Sequence, residues 1–422
     1  MSFEDRLGKI MDLAETLPRH KQDLMALAAR NLQFTYKDTA YEVDLTVDRL
    51  KLFEHTEFFL RDRGPLGGPG SSVAVMLSYN GSAWLNTIIT SVFLVGNKVV
   101  AKFASRGHEL MALTEKMYQP IFGQDITFYR GDGRSFMQDA LKDPDISSVI
   151  VFGFDTNILP YEEDYRRTGK KFIFEGPGVD PFIALADADF DKALGDLMNA
   201  KFSYSGQTCS APKRIFIHRS IYDDFLEQLV ARVRNLKVGA PEDPGTDVSP
   251  VASDLAVSRI KEQLKDAVDK KAQVICGGQI EGNLVHPTVV RDATDAMAGM
   301  QEEMFGPVVF TSAFETIPEV LARSQNHKYG LRAAVFGGQD AKAVAQVLRG
   351  ENYCHPVADY TFGKFGTVAV NAPRSKTWVG SLVTKAVGGY GYSGWIWETV
   401  DGRFRLKQGP KLLSIETSVP AE

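Results

Sequence analysis

The chain contains little cysteine, no excess of positive charge and no long uninterrupted apolar run. Its 422 residues include three cysteines, Cys209, Cys276 and Cys354, whose odd number and spacing predict neither a disulfide framework nor a structural zinc site, and we expect no metal. The formal net charge of −5 gives no basic surface for nucleic acid. The longest apolar stretch, residues 84–103, is interrupted by polar and charged side chains and does not predict a membrane span.

The amino terminus also lacks the features of an export signal. Residues 1–6 provide neither the basic nor the apolar region of a signal peptide, so the expected location is the cytoplasm. A composition with 44% hydrophobic and 24% charged residues is ordinary for a soluble globular protein. A chain of 422 residues is too long for one ordinary core, which predicts two or three domains.

The pattern of apolar residues predicts an α/β fold. Helical spacing extends over residues 3–31, with a break at Pro18, and over 41–60, before a loop of glycine and proline at 64–70. From Ser72 onward, strand-like and helical segments alternate, and this alternation favours a parallel sheet of βαβ units with a binding site beyond the carboxyl ends of its strands. Predicted strands include 73–77, 98–102, 126–129, 148–152, 171–174, 214–218, 273–276, 308–314, 332–336 and 368–371.

Cys209 is the best candidate for chemistry. Its neighbours from Ser205 to Ser210 are small or polar, and it lies between a predicted amphipathic helix over 182–202 and the predicted strand 214–218. A thiol on such a turn can be partly exposed, and its thiolate form is a nucleophile. The alternative is a buried, inert cysteine, which is the commoner fate of a single cysteine. Cys276, inside a predicted strand, is expected to belong to the core.

Three segments in order resemble one known family. Ser205-Gly-Gln-Thr-Cys209 resembles the nucleophile segment of the aldehyde dehydrogenase superfamily, and residues 174–182 resemble the family's glutamate segment. Glu302-Glu-Met-Phe-Gly-Pro-Val308 is similar to a third family motif. The resemblance extends from about residue 72 to 394 and is weak before it. It implies a Rossmann-like cofactor domain, residues 1–176 with part of 373–410, an α/β catalytic domain over 177–372, and a small oligomerisation strand and tail over 411–422.

The resemblance also implies catalytic roles. Cys209 would be the nucleophile, and the side chain of Asn80 would help to hold the oxyanion, although a cap or turn before Trp84 explains Asn80 about as well. Glu175 would be the base that activates water to cleave a thioester, and burial at a strand end would raise its pKa. Pro177 departs from the family pattern. A glutamate at this position favours water over coenzyme A as the acyl acceptor.

A nicotinamide cofactor follows from the same resemblance. The residues implied to bind it are Lys102, Ser105, Arg106, Gly153, Glu303 and Phe305. Many NAD-dependent members carry a glutamate where this chain has Ser105, and a carboxylate there would repel a 2′-phosphate. With Ser105 and the neighbouring Arg106, NADP+ is favoured over NAD+. The turn around Gly153 matches the family poorly, because Phe154 stands where a small residue is usual.

The function implied is oxidation of an aldehyde to its carboxylic acid with NAD(P)+ through a thiohemiacetal and a thioester on Cys209. Acyl transfer to coenzyme A, and a protein that binds nucleotide without catalysis, are the alternatives. Residues 411–418 alternate like an exposed strand, and the link over 61–70 is short. These two features predict a homodimer that acts on a small-molecule aldehyde, with no nucleic-acid or membrane partner.

Overall fold

A computed structural model of the chain describes residues 1–57, 66, 68, 70–350, 365–373 and 388–413. The described strands are, in chain order, Ser72–Met76 (β1), Lys98–Lys102 (β2), Ile126–Phe128 (β3), Ile146–Phe152 (β4), Lys171–Glu175 (β5), Asp180–Ala184 (β6), Pro212–His218 (β7), Gln273–Cys276 (β8), Ile280–Glu281 (β9), Leu284–Val285 (β10), Thr288–Arg291 (β11), Val308–Phe314 (β12), Tyr329–Gly330 (β13), Arg332–Phe336 (β14), Thr367–Val370 (β15), Tyr390–Gly391 (β16), Gly394–Val400 (β17) and Arg403–Gln408 (β18). Most of them form two seven-stranded sheets.

The first sheet has the order β18-β17-β5-β4-β1-β2-β3. Its five strands β5, β4, β1, β2 and β3 are parallel, and the hairpin of β17 and β18 adds antiparallel strands beside β5. The central strands are buried on both faces, as the apolar run Val149–Val151 of β4 shows. This is the pattern of a sheet covered by helices on its two sides.

The second sheet has the order β15-β14-β6-β7-β12-β11-β8, and only the edge strand β8 runs antiparallel to its neighbour. The chain passes from the first sheet to the second through residues 176–179, directly after β5. It returns to the first sheet before β17. Two sheets therefore meet where β5 ends, which is where the predicted base and its glycine-rich turn lie.

Helices cover both sheets. The described α-helices are Phe3–Thr16, Lys21–Leu32, Tyr36–Lys51, Leu85–Leu94, His108–Phe122, Gly133–Lys142, Asp155–Ile158, Glu162–Thr168, Phe190–Phe202, Tyr222–Arg234, Asp254–Asp269, Ala298–Gln301, Ile317–Gln325 and Asp340–Arg349. The break predicted at Pro18 is a 3₁₀ turn over Leu17–His20. None of the helices in the described ranges has the length and apolar character needed to cross a bilayer.

The helix predicted from residue 41 begins earlier, at Tyr36. The hydroxyl of Thr35 accepts a hydrogen bond from the Asp38 N–H, and this cap fixes the start of the helix. The α-helix ends at Lys51 and continues as a 3₁₀ turn to Thr56. Residues 58–60 lie outside the described part of the chain, as does most of the predicted loop at 64–70.

The helix predicted over 182–202 is wrong in its first part. Asp180–Ala184 forms β6, which is buried between β7 and β14, and the helix begins at Phe190 behind the side-chain cap of Asp189. An apolar run such as Phe182–Ala184 fits a buried strand as well as a helix, and its position between two strands decides the outcome.

Two further expectations need correction. Cys276 is half-buried on the edge strand β8 and packs at the margin of a core cluster, so it is not a core residue. Of the predicted exposed strand 411–418 the structure describes residues 411–413, and there Lys411 and Leu413 are buried rather than exposed. That this segment is an interface strand stays a prediction. Residues 414–418 and Cys354 lie outside the described residues. The proposed domain boundaries stay a prediction.

Candidate active site

The carboxyl ends of β1, β2, β4 and β5 open onto a cavity of about 560 Å³. The second sheet and its connections close the other side of this cavity. Eight residues predicted from the sequence line it: Asn80, Lys102, Ser105, Gly153, Glu175, Cys209, Glu303 and Phe305. Arg106, the ninth, is exposed beside Ser105 and is absent from the described lining. The structure thus brings together residues that are up to 225 positions apart (305 − 80).

Three left-handed residues position the segment that carries Cys209. Tyr204 and Ser205 have φ of 54°, and Gly206 has φ of 73°. Only glycine fits the last position, because a Cβ there would overlap the carbonyl group of Gly306. Strained backbone of this kind persists where neighbouring contacts hold it. Ser249 supplies one such contact, since its N–H donates to the Ser205 hydroxyl at 2.9 Å.

Other hydrogen bonds fix this segment to its surroundings. The Gln207 side chain accepts from the Ala252 N–H at 2.8 Å and donates to the Tyr204 carbonyl at 3.2 Å. The Tyr204 N–H donates to the Asp38 carboxylate at 2.9 Å, and burial raises the pKa of Asp38 to about 6. The segment before Cys209 is therefore tied both to the second sheet's loops and to the helix Tyr36–Lys51.

Cys209 is half-buried in the cavity. The pKa of its thiol is raised to about 12, mainly by burial and secondly by the negative charge of the Glu303 carboxylate. Lys213 opposes these effects, and its ammonium group donates to the carbonyl oxygens of Thr208 and Cys209. Without another proton acceptor, the thiol is neutral at neutral pH.

Glu175 lies at the buried end of β5 and is 6% exposed. Its carboxylate is 3.6 Å from the ammonium of Lys411, a residue that the sequence did not connect with the site. Gly388 packs against the same carboxylate, because a Cβ there would stand 2.5 Å from its Oε1. The Glu175 carbonyl accepts from the Gly153 N–H at 3.1 Å, so β5 also positions the neighbouring loop.

The turn after Glu175 brings three functional groups together. The Gly178 N–H donates to the Glu303 carboxylate at 3.1 Å, and a Cβ on Gly178 would stand 2.5 Å from the carbonyl oxygen of Cys209. Burial is the main cause that raises the pKa of Glu303 to about 7. Pro177 is compatible with this arrangement, since its carbonyl accepts from the Ser393 hydroxyl at 2.5 Å.

Asn80 is buried in the loop after β1, where its side-chain carbonyl accepts a hydrogen bond from Ser78. It is not the helix cap, because the helix begins at Leu85 with Trp84 at the N-cap position. Glu42 holds this loop by accepting hydrogen bonds from the N–H groups of Ser82 and Trp84, both at 2.8 Å. One signal could have identified Glu42 in advance: it is a carboxylate beside the apolar positions of a helix that packs inward.

The cavity wall that includes Lys102, Gly153 and Glu303 suits a dinucleotide. Lys102 is buried at the end of β2, burial lowers its pKa, and its ammonium donates to the Phe103 carbonyl at 2.9 Å. Open space lies beside Gly153, where a Cβ would have no heavy atom within 4 Å, so a ligand can approach the backbone there. A lysine ammonium, the Glu303 carboxylate and an open glycine are suited to ribose hydroxyls and a pyrophosphate.

The helix Tyr36–Lys51 contributes a third wall that sequence reasoning missed. Tyr41, Leu45 and Arg49 are four residues apart, so they share one face of the helix, and all three line the cavity. Arg49 is 8% exposed, and burial lowers its pKa, while Tyr204 and Glu42 oppose that effect. This wall adds the guanidinium group of Arg49 to the cavity lining.

Comparisons with known proteins agree with the sequence resemblance. A profile of the aldehyde dehydrogenase family matches residues 1–395. Glutarate-semialdehyde dehydrogenase of Pseudomonas putida is 37% identical over 192 residues, which are 45% of this chain and 40% of that protein. Succinate-semialdehyde dehydrogenase (NADP+) 1 of Schizosaccharomyces pombe is 38% identical over 186 residues, 43% of this chain and 36% of that protein. Each match spans about two fifths or less of the relative's length.

The fold also matches a solved structure. The NAD+ complex of aldehyde dehydrogenase from Bacillus cereus aligns with a TM-score of 0.81 and 23% identity, and the alignment covers 97% of this chain and 84% of that one. At this level of identity the likeness concerns the fold alone. The mixed sheets described above and this neighbour confirm the predicted α/β architecture.

Proposed function

The chain belongs to the aldehyde dehydrogenase family, and from this premise we propose that it oxidises an aldehyde to its carboxylic acid with NAD(P)+. The observation that carries the proposal is the meeting of Cys209, Glu175, Asn80 and Glu303 in one cavity with Lys102. The net reaction consumes one aldehyde, one NAD(P)+ and one water. It yields the acid, NAD(P)H and a proton.

In the first step, the Cys209 thiol loses its proton and its sulfur forms a bond to the carbonyl carbon. The carbonyl electron pair moves to oxygen, which takes up a proton as the thiohemiacetal forms. The Asn80 side-chain amide would donate to that oxyanion, since its own carbonyl is already engaged with Ser78. The Gly206 turn and the Gln207 hydrogen bonds hold the nucleophile in place before the substrate arrives. This step creates a thiohemiacetal on Cys209.

Lys102, Glu303 and Phe305 would hold NAD(P)+, and the chemistry that this cofactor supplies when bound is the acceptance of a hydride from the thiohemiacetal. In this step the chain's residues would orient the cofactor. Glu303 is fixed by the Gly178 N–H, and the aromatic rings of Phe305 and Tyr79 stand 6.1 Å apart at the cavity wall. Ser105 and Arg106 at the end of β2 support our proposal that NADP+ is preferred.

Hydrolysis of the resulting thioester requires a base. Glu175 would take a proton from water while the water oxygen bonds to the acyl carbon. The carbon–sulfur bond then breaks, and Cys209 leaves as the thiolate. The burial of Glu175 at the cavity wall supports this role. Acyl transfer to coenzyme A, without need of Glu175, remains an outcome that the experiment below must distinguish.

We also propose that the aldehyde carries a second, anionic group. Arg49 lines the cavity on the helix Tyr36–Lys51, an element that carries none of the residues proposed to bind the cofactor. Two relatives are named for semialdehydes, whose far end is a carboxylate. An arginine binds a carboxylate with paired hydrogen bonds. Succinic semialdehyde should be preferred to butanal by about tenfold or more, and Arg49→Met should reduce this ratio while leaving butanal oxidation unchanged.

The decisive experiment follows NAD(P)H at 340 nm with an aldehyde panel, with and without coenzyme A. Wild-type protein should form acid without coenzyme A. Cys209→Ser should lose turnover, whereas Cys276→Ala, at the half-buried edge strand, is the matched control that should keep it. Glu175→Gln should keep a burst of one NAD(P)H per site and then turn over slowly. Turnover by Cys209→Ser, or an unchanged steady state in Glu175→Gln, would contradict the mechanism.

A further inference from the structure

Lys411 is the buried cation beside the proposed base. It comes from the segment after β18, and its side chain is 1% exposed while that of Glu175 is 6% exposed. The ammonium nitrogen is 3.6 Å from Glu175 Oε1 and donates to the Gly409 carbonyl at 3.2 Å. An ion pair with this degree of burial is only weakly screened by solvent, so each charge strongly affects the other.

Two glycines make room for this pair. A Cβ on Gly388 would stand 2.5 Å from Glu175 Oε1, and a Cβ on Gly394 would stand 2.5 Å from the Lys411 nitrogen. Any larger residue at these positions would push on the carboxylate or on the ammonium. The backbone around the pair is thus shaped to let the two groups approach each other.

The other charged or titratable groups that interact with Glu175 in the described ranges belong to the surroundings of Cys209. Cys209, from the loop before β7, interacts with Glu175 electrostatically, as it does with Glu303, Lys213 and Asp180. Lys213 is engaged with the carbonyl oxygens of Thr208 and Cys209. Among the described residues, Lys411 is the cation that forms an ion pair with Glu175.

We propose that Lys411 is a positioning residue for thioester hydrolysis, one that holds Glu175 ionised and fixes its carboxylate at the cavity wall. This inference rests on the proposed function, because it assigns Glu175 as the base. An adjacent cation favours the carboxylate form and lowers the pKa of the carboxyl group. The base therefore stays ionised, and able to take a proton from water, at lower pH than it would without the cation. The pH–rate profile of hydrolysis has an acid limb, the region where the rate falls as the base becomes protonated. Removing the cation moves this acid limb to higher pH.

The test needs no cofactor. 4-Nitrophenyl acetate acylates a reactive thiol: the Cys209 sulfur bonds to the acetyl carbon and 4-nitrophenolate leaves. Water then hydrolyses acetyl-Cys209 with a proton passing to Glu175. A stopped-flow burst reports acylation, the later slope reports hydrolysis, and mass spectrometry locates the acetyl group. The variants are Lys411→Met, Lys411→Arg and, as an exposed control on β18, Lys407→Met.

Lys411→Met should keep the burst and move the acid limb of hydrolysis upward by about one pH unit or more, which is about a tenfold loss on that limb. Lys411→Arg keeps the charge and should restore the limb, and Lys407→Met should behave as wild type. An unmoved limb in Lys411→Met overturns the proposal. If Lys411→Met does not fold, Gly394→Ala displaces the ammonium with both charges retained, and its limb must also move upward. Absence of acetyl-Cys209 in wild type would refute the proposed function instead.

Discussion

The pKa of Cys209 gives the sharpest test of the site's electrostatics. Burial and the Glu303 carboxylate raise it from 9.0 to about 12. At pH 9 an ordinary thiol with a pKa of 9.0 is about half ionised, whereas Cys209 is about one part in a thousand thiolate. Since only the thiolate reacts, alkylation of Cys209 should be several-hundredfold slower than that of a free thiol at this pH.

The assay measures carbamidomethylation by iodoacetamide between pH 7 and 10.5, with quantitation of the Cys209 peptide by mass spectrometry and glutathione as reference. The logarithm of the Cys209 rate should rise with a slope of about one throughout, without a plateau. Glu303→Gln removes the largest charge effect and should move the curve to lower pH. Lys213→Met removes the opposing charge and should move it to higher pH.

A plateau near pH 9 in the wild-type protein would refute this reasoning. So would a Glu303→Gln curve that coincides with the wild type, because the carboxylate would then have no influence on the thiol. Denatured protein supplies the internal control, since unfolding removes both burial and the neighbouring charges. There the Cys209 peptide should follow glutathione.

Three further predictions concern the backbone, the cofactor and the assembly. Gly206→Ala should lower the free energy of unfolding by about 1–2 kcal/mol or more, because alanine is strained at φ 73°. Gly195→Ala, in open space within a helix, should raise the free energy of unfolding by about 0.5–1 kcal/mol. Urea titrations measure both changes. Ser105→Glu should weaken NADP+ by about tenfold relative to NAD+ in fluorescence titrations, and unaltered NADP+ binding would show that this loop does not contact the phosphate. Light scattering should show a homodimer. A monomer would contradict that expectation, and so would a tetramer that is unaffected by deletion of residues 414–422.

Much of the fold could be predicted because its strands are locally distinctive. The bounds of β2, β8, β12 and β14 agree with the predicted segments, since each is a short β-branched or aromatic run between breakers. The apolar run of β6 carries no such local distinction from a helix. Its neighbours β7 and β14 decide its conformation, and that information lies far away in the sequence.

The candidate site likewise has a part that the sequence predicts and a part that it does not. Cys209 and Glu303 could be proposed because each stands in a compact motif, whereas Lys411, Glu42 and Arg49 carry no motif that links them to the cavity. Folding alone brings them there, through the return of the chain after β18 and the packing of the helix Tyr36–Lys51. Their positions beside the candidate site are therefore known only from distances and burial.

Two backbone hydrogen bonds join separate parts of the chain around the cavity, and this has a consequence for the proposed reaction. In the first, the outgoing and returning crossings between the sheets are joined, since the Gly176 N–H donates to the Ser393 carbonyl at 3.0 Å. In the second, the Tyr36 N–H donates to the Pro241 carbonyl at 2.9 Å, close to the Asp38–Tyr204 contact. These hydrogen bonds favour a cavity whose surrounding segments keep one arrangement over a cavity that opens and closes. If Cys209 and Glu175 act as proposed, the entropic cost of aligning them is met once, when the chain folds, and need not be met again in each catalytic cycle.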